Sequence, residues 1–301
     1  MVKDSLSALG KAFSLVIWSL SALPPWIPPL AASPTVAEIQ RTGILKIAVR
    51  EDAPPFAFRD GNSQWTGLCF DLIELLRRRL QQELPHSFLL IQLLPSTLFN
   101  RFELVDEGEV ALECGANGIR PVPYQVTFST PIFLTGTRFL IRSGDRLRVN
   151  PNGSLKDVVI GFLADTSNAE FVQNRYPQAR FQEFRGMSGR KRGVQAVQQN
   201  KIDAFASDGI LLLGEALLLD LALGQDYIIV PRYPLNCEEY GLILPAGDRA
   251  WAELVNGVLQ TEAAISAYQK WFGEVESLLT TTQKTCGRAP VAFPKTTEVV
   301  P

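Results

Sequence analysis

Past residue 33 the chain switches repeatedly between two hydrophobic spacings. Ile44 to Arg50 is a short, nearly continuous apolar run that reads as a buried strand. Phe70 to Gln82 instead spaces its apolar residues at helical intervals and puts a run of arginines on its outer face. A short helix over Thr35 to Arg41 precedes both. Strand, turn and helix form the unit of an α/β fold, and the unit recurs. Apolar Phe88 to Leu94 is followed by a helix over Leu98 to Asp106, a strand at Ala111 to Glu113, and an extended stretch from Phe128 to Arg142 broken by Pro131 and Gly136. A second run holds a strand at Val158 to Leu163, a helix from about Asn168, a strand at Phe181, a helix over Gly193 to Gln199, a strand at Ala204 to Ala206 and a leucine-rich helix over Ile210 to Leu223. Tyr240 to Leu244 reads as a strand, Trp251 to Phe272 as a final helix, and the residues from about Glu274 as a loosely ordered polar tail.

Two runs of alternation predict two α/β lobes with a ligand cleft between them. The crossings near Phe133 to Arg138 and Cys237 to Gly241 would form a two-strand hinge. The expected division places residues 34–137 and 237–275 in lobe 1, 138–236 in lobe 2, and 276–301 in a C-terminal tail. Residues 1–33 read as a secretory signal: Lys3 and Lys11, the apolar stretch Ala12 to Leu23, a proline-rich spacer, then Ala31-Ala32-Ser33. That apolar stretch is shorter than the ~20 residues of a spanning helix. Ile210 to Leu223 carries Glu215 and Asp220 in a helical pattern, so it reads as a buried amphipathic helix instead of a span.

Composition narrows the chemistry. In 301 residues, 46% hydrophobic and 20% charged content suits an ordinary globular chain and excludes disorder. Lys+Arg 29 against Asp+Glu 31 gives a net charge of −2, without the basic field that nucleic-acid binding requires. A single histidine, His86, leaves little room for Ser/His/Asp, Cys/His or polyhistidine metal chemistry. No metal or cofactor is expected. Four cysteines in an exported chain favour disulfides. Of three possible pairings, Cys69–Cys114 with Cys237–Cys286 is preferred, since the first two share the N-terminal half and the second pair would tie down the tail. Free buried thiols are the alternative.

Certain strings are more specific. Gly43-x-Leu45-Lys46-Ile47-Ala48-Val49-Arg50-Glu51-Asp52-Ala53-Pro54-Pro55-Phe56, Trp65-x-Gly67-x-x-x-Asp71-Leu72, Glu113-Cys114-Gly115, Phe128-Ser129-x-Pro131-x-Phe133 and Thr135-Gly136-Thr137-Arg138 occur in this order. Together they resemble the polar amino-acid-binding family of periplasmic solute receptors, over about residues 38 to 273. The resemblance implies a two-lobed type II periplasmic binding protein fold, a monomer that captures an amino acid in its cleft and passes it to an inner-membrane ABC permease. It is nearest to the glutamate/aspartate branch, whose pattern implies Arg50 and Arg101 on the ligand's distal carboxylate. Two converging guanidiniums suit a second carboxylate and would be costly around an apolar or cationic side chain.

The same resemblance implies the rest of the shell. Arg120 would hold the α-carboxylate, although the family's arginine lies a few residues further on. Thr166 and Ser167 would help it from a helix start in which Asp165 replaces the family's usual glycine. Asp208 would hold the ammonium, Phe56 would supply an apolar wall, and the backbone of Ala116, Asn117 and Gly118 would add polar groups. Arg190 aligns loosely with a residue on the distal carboxylate, but the run Arg185 to Arg192 reads as a solvated loop. A cleft enzyme, such as a dehydratase of a cyclic carboxylic acid with Glu51 or Glu170 as general acid, and a sensor domain are the alternatives. The expectation is a periplasmic, non-enzymatic binding protein for glutamate or aspartate.

Overall fold

The structure, a computed structural model, describes residues 33–84 and 89–287. The expected leader up to residue 32, His86 and residues 288–301 lie outside them. Ser33 caps α1 (Pro34–Thr42): its hydroxyl accepts from the Val36 N–H and donates to Asp248 Oδ2 at 2.8 Å, and proline at the first helical position supplies the φ a helix start needs. Strand β1 (Ile44–Arg50) follows, then a small antiparallel sheet of β2 (Asp52–Ala53), β3 (Ala57–Arg59) and β4 (Trp65–Thr66), then α2 (Leu68–Glu83). The chain continues through β5 (Leu90–Ser96), α3 (Arg101–Asp106), β6 (Leu112–Cys114) and β7 (Val126–Phe128). It then crosses through β8 (Phe133–Thr135) into β9 (Thr137–Arg142).

Beyond the crossing lie β10 (Val159–Leu163), α4 (Ser167–Arg175), β11 (Arg180–Phe184), α5 (Gly189–Gln198), β12 (Ala204–Asp208), α6 (Gly209–Leu218) and β13 (Tyr227–Val230). The chain returns through β14 (Glu238–Tyr240) to β15 (Ile243–Pro245), α7 (Arg249–Leu259), α8 (Glu262–Phe272) and α9 (Glu276–Cys286).

Two five-stranded sheets result, ordered β5-β1-β6-β15-β7 and β11-β10-β12-β9-β13. In each, the strands joined through helices run parallel and the strand that follows a crossing, β15 in the first and β9 in the second, runs antiparallel. The link between them is the antiparallel pair β8 and β14, in which Phe133 faces Tyr240 and Thr135 faces Glu238. This is the mixed α/β, two-lobed architecture read from the alternation. At the link, Gly136 is obligatory: a Cβ there would collide with the backbone carbonyl oxygen of Asn236 on the returning chain.

The first sheet buries a core in which Phe56, Phe133, Tyr240 and Phe272 pack with ring centroids 4.7 to 6.4 Å apart. Trp251 is fully buried beside it, and its indole N–H donates to the Ala111 carbonyl at 2.8 Å. The second sheet has its own core on each face, built around Phe139 and Phe162 on one side and Phe205 on the other.

Four elements differ from their expected form. The final helix is two helices, because the Thr261 side chain accepts from the Ala264 N–H and starts α8 afresh. The strand from Tyr240 is interrupted before Ile243. The leucine-rich helix stops at Leu218. The tail expected to be loose contains α9, which buries Leu279, Thr281 and Thr282 and is tied to the link by a disulfide from Cys286 to Cys237. Cys69–Cys114 forms the other disulfide, so the preferred pairing is the one observed.

Candidate functional site

A cavity of about 570 Å³ opens between the two sheets, a volume suited to a small ligand. Charged side chains of opposite sign line it. Arg50, at the end of β1, is fully buried. Its stem passes over Gly115, where a Cβ would collide with Arg50 Cγ. Arg50 Nε donates to Asp52 Oδ1 at 2.8 Å, and Nη2 lies 2.5 Å from the same oxygen at an angle that makes no hydrogen bond. Asp52 thus partners this guanidinium from within the chain and leaves Nη2 without a hydrogen bond.

Arg101 is different. It opens α3, is 6% exposed, and its Nε and Nη1 are buried with no protein partner. Its guanidinium carbon lies 4.7 Å from the Phe102 ring centroid. Burial, then the adjacent Arg50 charge, pushes its pKa down to about 10, so it remains cationic at neutral pH. Beneath the pair, Glu113 is fully buried and accepts from the Ser96 hydroxyl at 2.7 Å and from the Asn117 amide. Burial raises its pKa against the opposing pull of Arg50.

The opposite pole lies at the end of β12. Asp208 is buried, and its carboxylate accepts from the Tyr240 hydroxyl and from Asn168 Nδ2 at 3.2 Å. Burial raises its pKa, while those two hydrogen bonds and the Arg190 charge act the other way. Beside it on β14, Glu238 is pushed up to about 7, first by burial and then by the Asp208 charge, with the Ser167 hydroxyl and Arg120 opposing. Arg120 lines the cavity from the loop after β6, and its charge acts on both Arg101 and Glu238. That places it electrostatically between the two poles.

Helix α4 faces the same space with its N-terminus. The Thr166 hydroxyl donates to the Leu163 carbonyl at 2.6 Å while accepting from the Ala169 N–H, so it is occupied by capping. The Ser167 hydroxyl is engaged by Glu238. What α4 offers an anion is its first-turn N–H groups and dipole, not the two hydroxyls expected from the sequence. Asp165 has a φ of 61°, which accounts for the glycine common at this position in the family pattern. Its carboxylate is drawn to Arg185 at 3.2 Å.

Eight of the ten candidate ligand residues line the cavity: Arg50, Arg101, Ala116, Gly118, Arg120, Thr166, Ser167 and Asp208. Phe56 does not, because it is sealed inside the aromatic cluster of the first core. Asn117 points beneath the cavity to Glu113. Arg190 is not a solvated loop residue. It lies in the first turn of α5, is 3% exposed, and donates through Nη1 to the Asp52 carbonyl at 2.5 Å and through Nε to Ser207 Oγ at 3.4 Å. Glu51, one of the two proposed general acids, pairs with Arg59 at 3.0 Å and stays outside the cavity, whereas Glu170 lines it. Sequence reasoning missed Asn168, Glu238 and Tyr240. The alternation of Glu238 and Tyr240 on a strand was the available signal for the last two.

Known proteins place this geometry. A family model for bacterial extracellular solute-binding proteins, family 3, matches residues 45–274. The chain is similar to the glutamate/aspartate import solute-binding protein of Escherichia coli K12, at 26% identity over 246 residues, covering 80% of this chain and 79% of that protein. It is also similar to the glutamate-binding protein of Corynebacterium efficiens, at 22% identity over 234 residues, covering 77% and 78%. Among solved structures, an ancestral amino-acid-binding protein described as a precursor of cyclohexadienyl dehydratase superposes with a TM-score of 0.65 at 23% identity, covering 80% of this chain and all of that one. A Streptococcus pneumoniae ABC uptake transporter substrate-binding protein with bound histidine superposes with a TM-score of 0.63 at 13% identity, covering 79% and 95%. The chain belongs to family 3 of the bacterial extracellular solute-binding proteins.

Proposed function

We propose that this protein captures an acidic α-amino acid, glutamate or aspartate, in the interlobe cleft as a periplasmic receptor and delivers it to an ABC-type importer in the inner membrane. The observation that carries the reading is Arg101: a buried cation with two unpartnered nitrogens on the cavity wall costs several kcal/mol unless a ligand anion completes it. Arg50 adds to that field, Asp208 matches an ammonium group at the other pole, and Arg120 with the α4 N-terminus suits the α-carboxylate between them. The named activities of the E. coli and C. efficiens relatives support the same ligand class.

The test is a thermal-shift panel of the twenty amino acids on the purified chain. A ligand at 100 times its Kd adds about 2.7 kcal/mol to stability. Glutamate and aspartate should raise Tm most. A larger shift with arginine, histidine or glutamine would overturn the acidic assignment.

A second reading, catalysis, is favoured by one observation: Glu238 is a cleft carboxyl held near neutrality, which is where a general acid works best. Loss of water from cyclic hydroxy-carboxylic acids incubated with the protein would support it, and unchanged substrate at high protein concentration would rule against it.

A further inference from the structure

Reading the cleft as an α-amino-acid site leaves Glu238, on its wall beside Asp208, without a role. Glu238 and Tyr240 alternate along β14, so they project to the same side of the strand. Tyr240 uses its hydroxyl on Asp208. Glu238 is fixed beside them: the loop after β6 is held antiparallel against β14 through the Ile119 N–H to Glu239 carbonyl bond at 2.7 Å and the Gly241 N–H to Asn117 carbonyl bond at 3.0 Å. Glu238 Oε2 sits 3.3 Å from the Cβ position of Gly118 in that loop, and the Ser167 hydroxyl of α4 reaches it from the other lobe. One serine leaves most of a carboxylate's acceptor capacity open toward the cavity.

We propose that Glu238 is a second carboxylate for the ligand's ammonium group, paired with Asp208 across the hinge, and that capture of the ammonium drives a proton off this pair. This rests on the amino-acid reading above.

The charged and titratable groups around the pair are few and come from every neighbouring element. Helix α4 brings Ser167, Asn168 and Glu170, β12 brings Asp208, β14 brings Glu239 and Tyr240, the loop after β6 brings Arg120, and α5 brings Arg190. The Arg190 charge acts on Asp208 but not on Glu238, and its hydrogen bonds go to the Asp52 carbonyl and Ser207; Arg120, which does face Glu238, is exposed and screened. Two neighbouring carboxylates, Asp208 buried and Glu238 half-buried, do not both ionise cheaply with so little positive charge facing Glu238. An ammonium between them reverses the balance, because an opposite charge favours the ionised form of each. The proton then leaves to solvent as the ligand binds. No bond other than O–H is broken.

Burial and the Asp208 charge place Glu238 near 7 before ligand arrives, which sets the window. Below it the ligand must displace a proton, and above it the seat is already ionised. Glutamate affinity should therefore rise about tenfold from pH 6 to pH 8, the change expected for one group of pKa near 7.

The measurement is calorimetric titration of the full chain with glutamate at pH 6, 7 and 8, in phosphate and in Tris, whose ionisation enthalpies differ. Wild type should release protons on binding at pH 7. Glu238→Gln should bind more weakly at pH 8, with no proton release and a level pH profile. Ser167→Ala, which removes a hydrogen bond that favours the ionised form, should move the window upward. Glutamate binding with no proton release, or with the same release in Glu238→Gln, overturns the role of Glu238 and leaves the acidic-ligand reading standing. Absence of binding by any amino acid would overturn that reading and this inference with it.

Discussion

Arg190 Nη1 donates to the backbone carbonyl of Asp52 at 2.5 Å, joining the first turn of α5 in one lobe to β2 beside the other. The side-chain carboxylate of Asp52 holds Arg50, so a guanidinium of the cleft and a fastener between the lobes share one residue. Hydrogen bonds to charged groups are worth about 1.5–3 kcal/mol, enough to move a two-state opening equilibrium by an order of magnitude or more. Arg190→Ala should therefore enlarge the radius of gyration of the ligand-free protein in small-angle scattering and weaken glutamate binding. Unchanged scattering would mean that the contact does not hold the lobes together.

Helix α9 braces the link between the lobes. Arg138, buried on β9, donates through Nη2 to Thr281 Oγ1 and Thr282 Oγ1, each at 3.2 Å. Burial pushes its pKa down to about 10. Replacing both threonines by valine keeps the shape of the helix and deletes the acceptors, leaving a buried guanidinium short of partners. The expected loss is about 1–3 kcal/mol, read as a lower denaturant midpoint with unchanged slope. A single replacement should lose less, since the other hydroxyl remains.

Three buried carboxyls, Glu113, Asp208 and Glu215, and the half-buried Glu238 are raised above their ordinary values, in each case chiefly by desolvation. The folded chain thus holds protons that the unfolded chain gives up, and stability falls as pH rises from the ordinary 4.5 of glutamate toward the 7 of Glu238. Glu74, held down to about 2 by Arg77 and Arg78, has the opposite sign. Its contribution is already complete above its ordinary 4.5 and leaves the upper window undisturbed. Melting of the ligand-free protein at intervals from pH 5 to pH 8 should show a falling Tm. A level or rising Tm over that range would contradict the burial of these groups.

The alternation of apolar runs carried the fold, since buried strands such as β1, β10 and β12 have unmistakable composition and the helices between them are amphipathic. Arg50, Arg101 and Asp208, singled out by the resemblance, all line the cavity, and Arg50 lies within its longest matching string. Arg190 was misread because its neighbours Arg185, Lys191 and Arg192 are exposed, and only its spacing with Val194 and Val197, both buried, marks the inward face of α5. The ordered end of the chain was concealed by threonines, which look like a polar tail until they are seen to serve Arg138. Glu238 belongs to no string. Its importance arises from Asp208, thirty residues upstream in a different sheet, and that proximity exists only in the folded chain.

Arg101→Met tests most directly whether a ligand carboxylate completes the Arg101 guanidinium, whose Nε and Nη1 are buried without a partner. Methionine keeps most of the stem and removes an unpartnered buried charge, so the ligand-free variant should melt higher than wild type. The same change should weaken glutamate by about 100-fold or more, equivalent to about 3 kcal/mol, while altering glutamine far less. Calorimetric titration of both amino acids into both proteins, with melts of the free proteins, gives the answer. A higher Tm together with selective loss of glutamate is the predicted result, and equal losses for glutamate and glutamine would contradict the account.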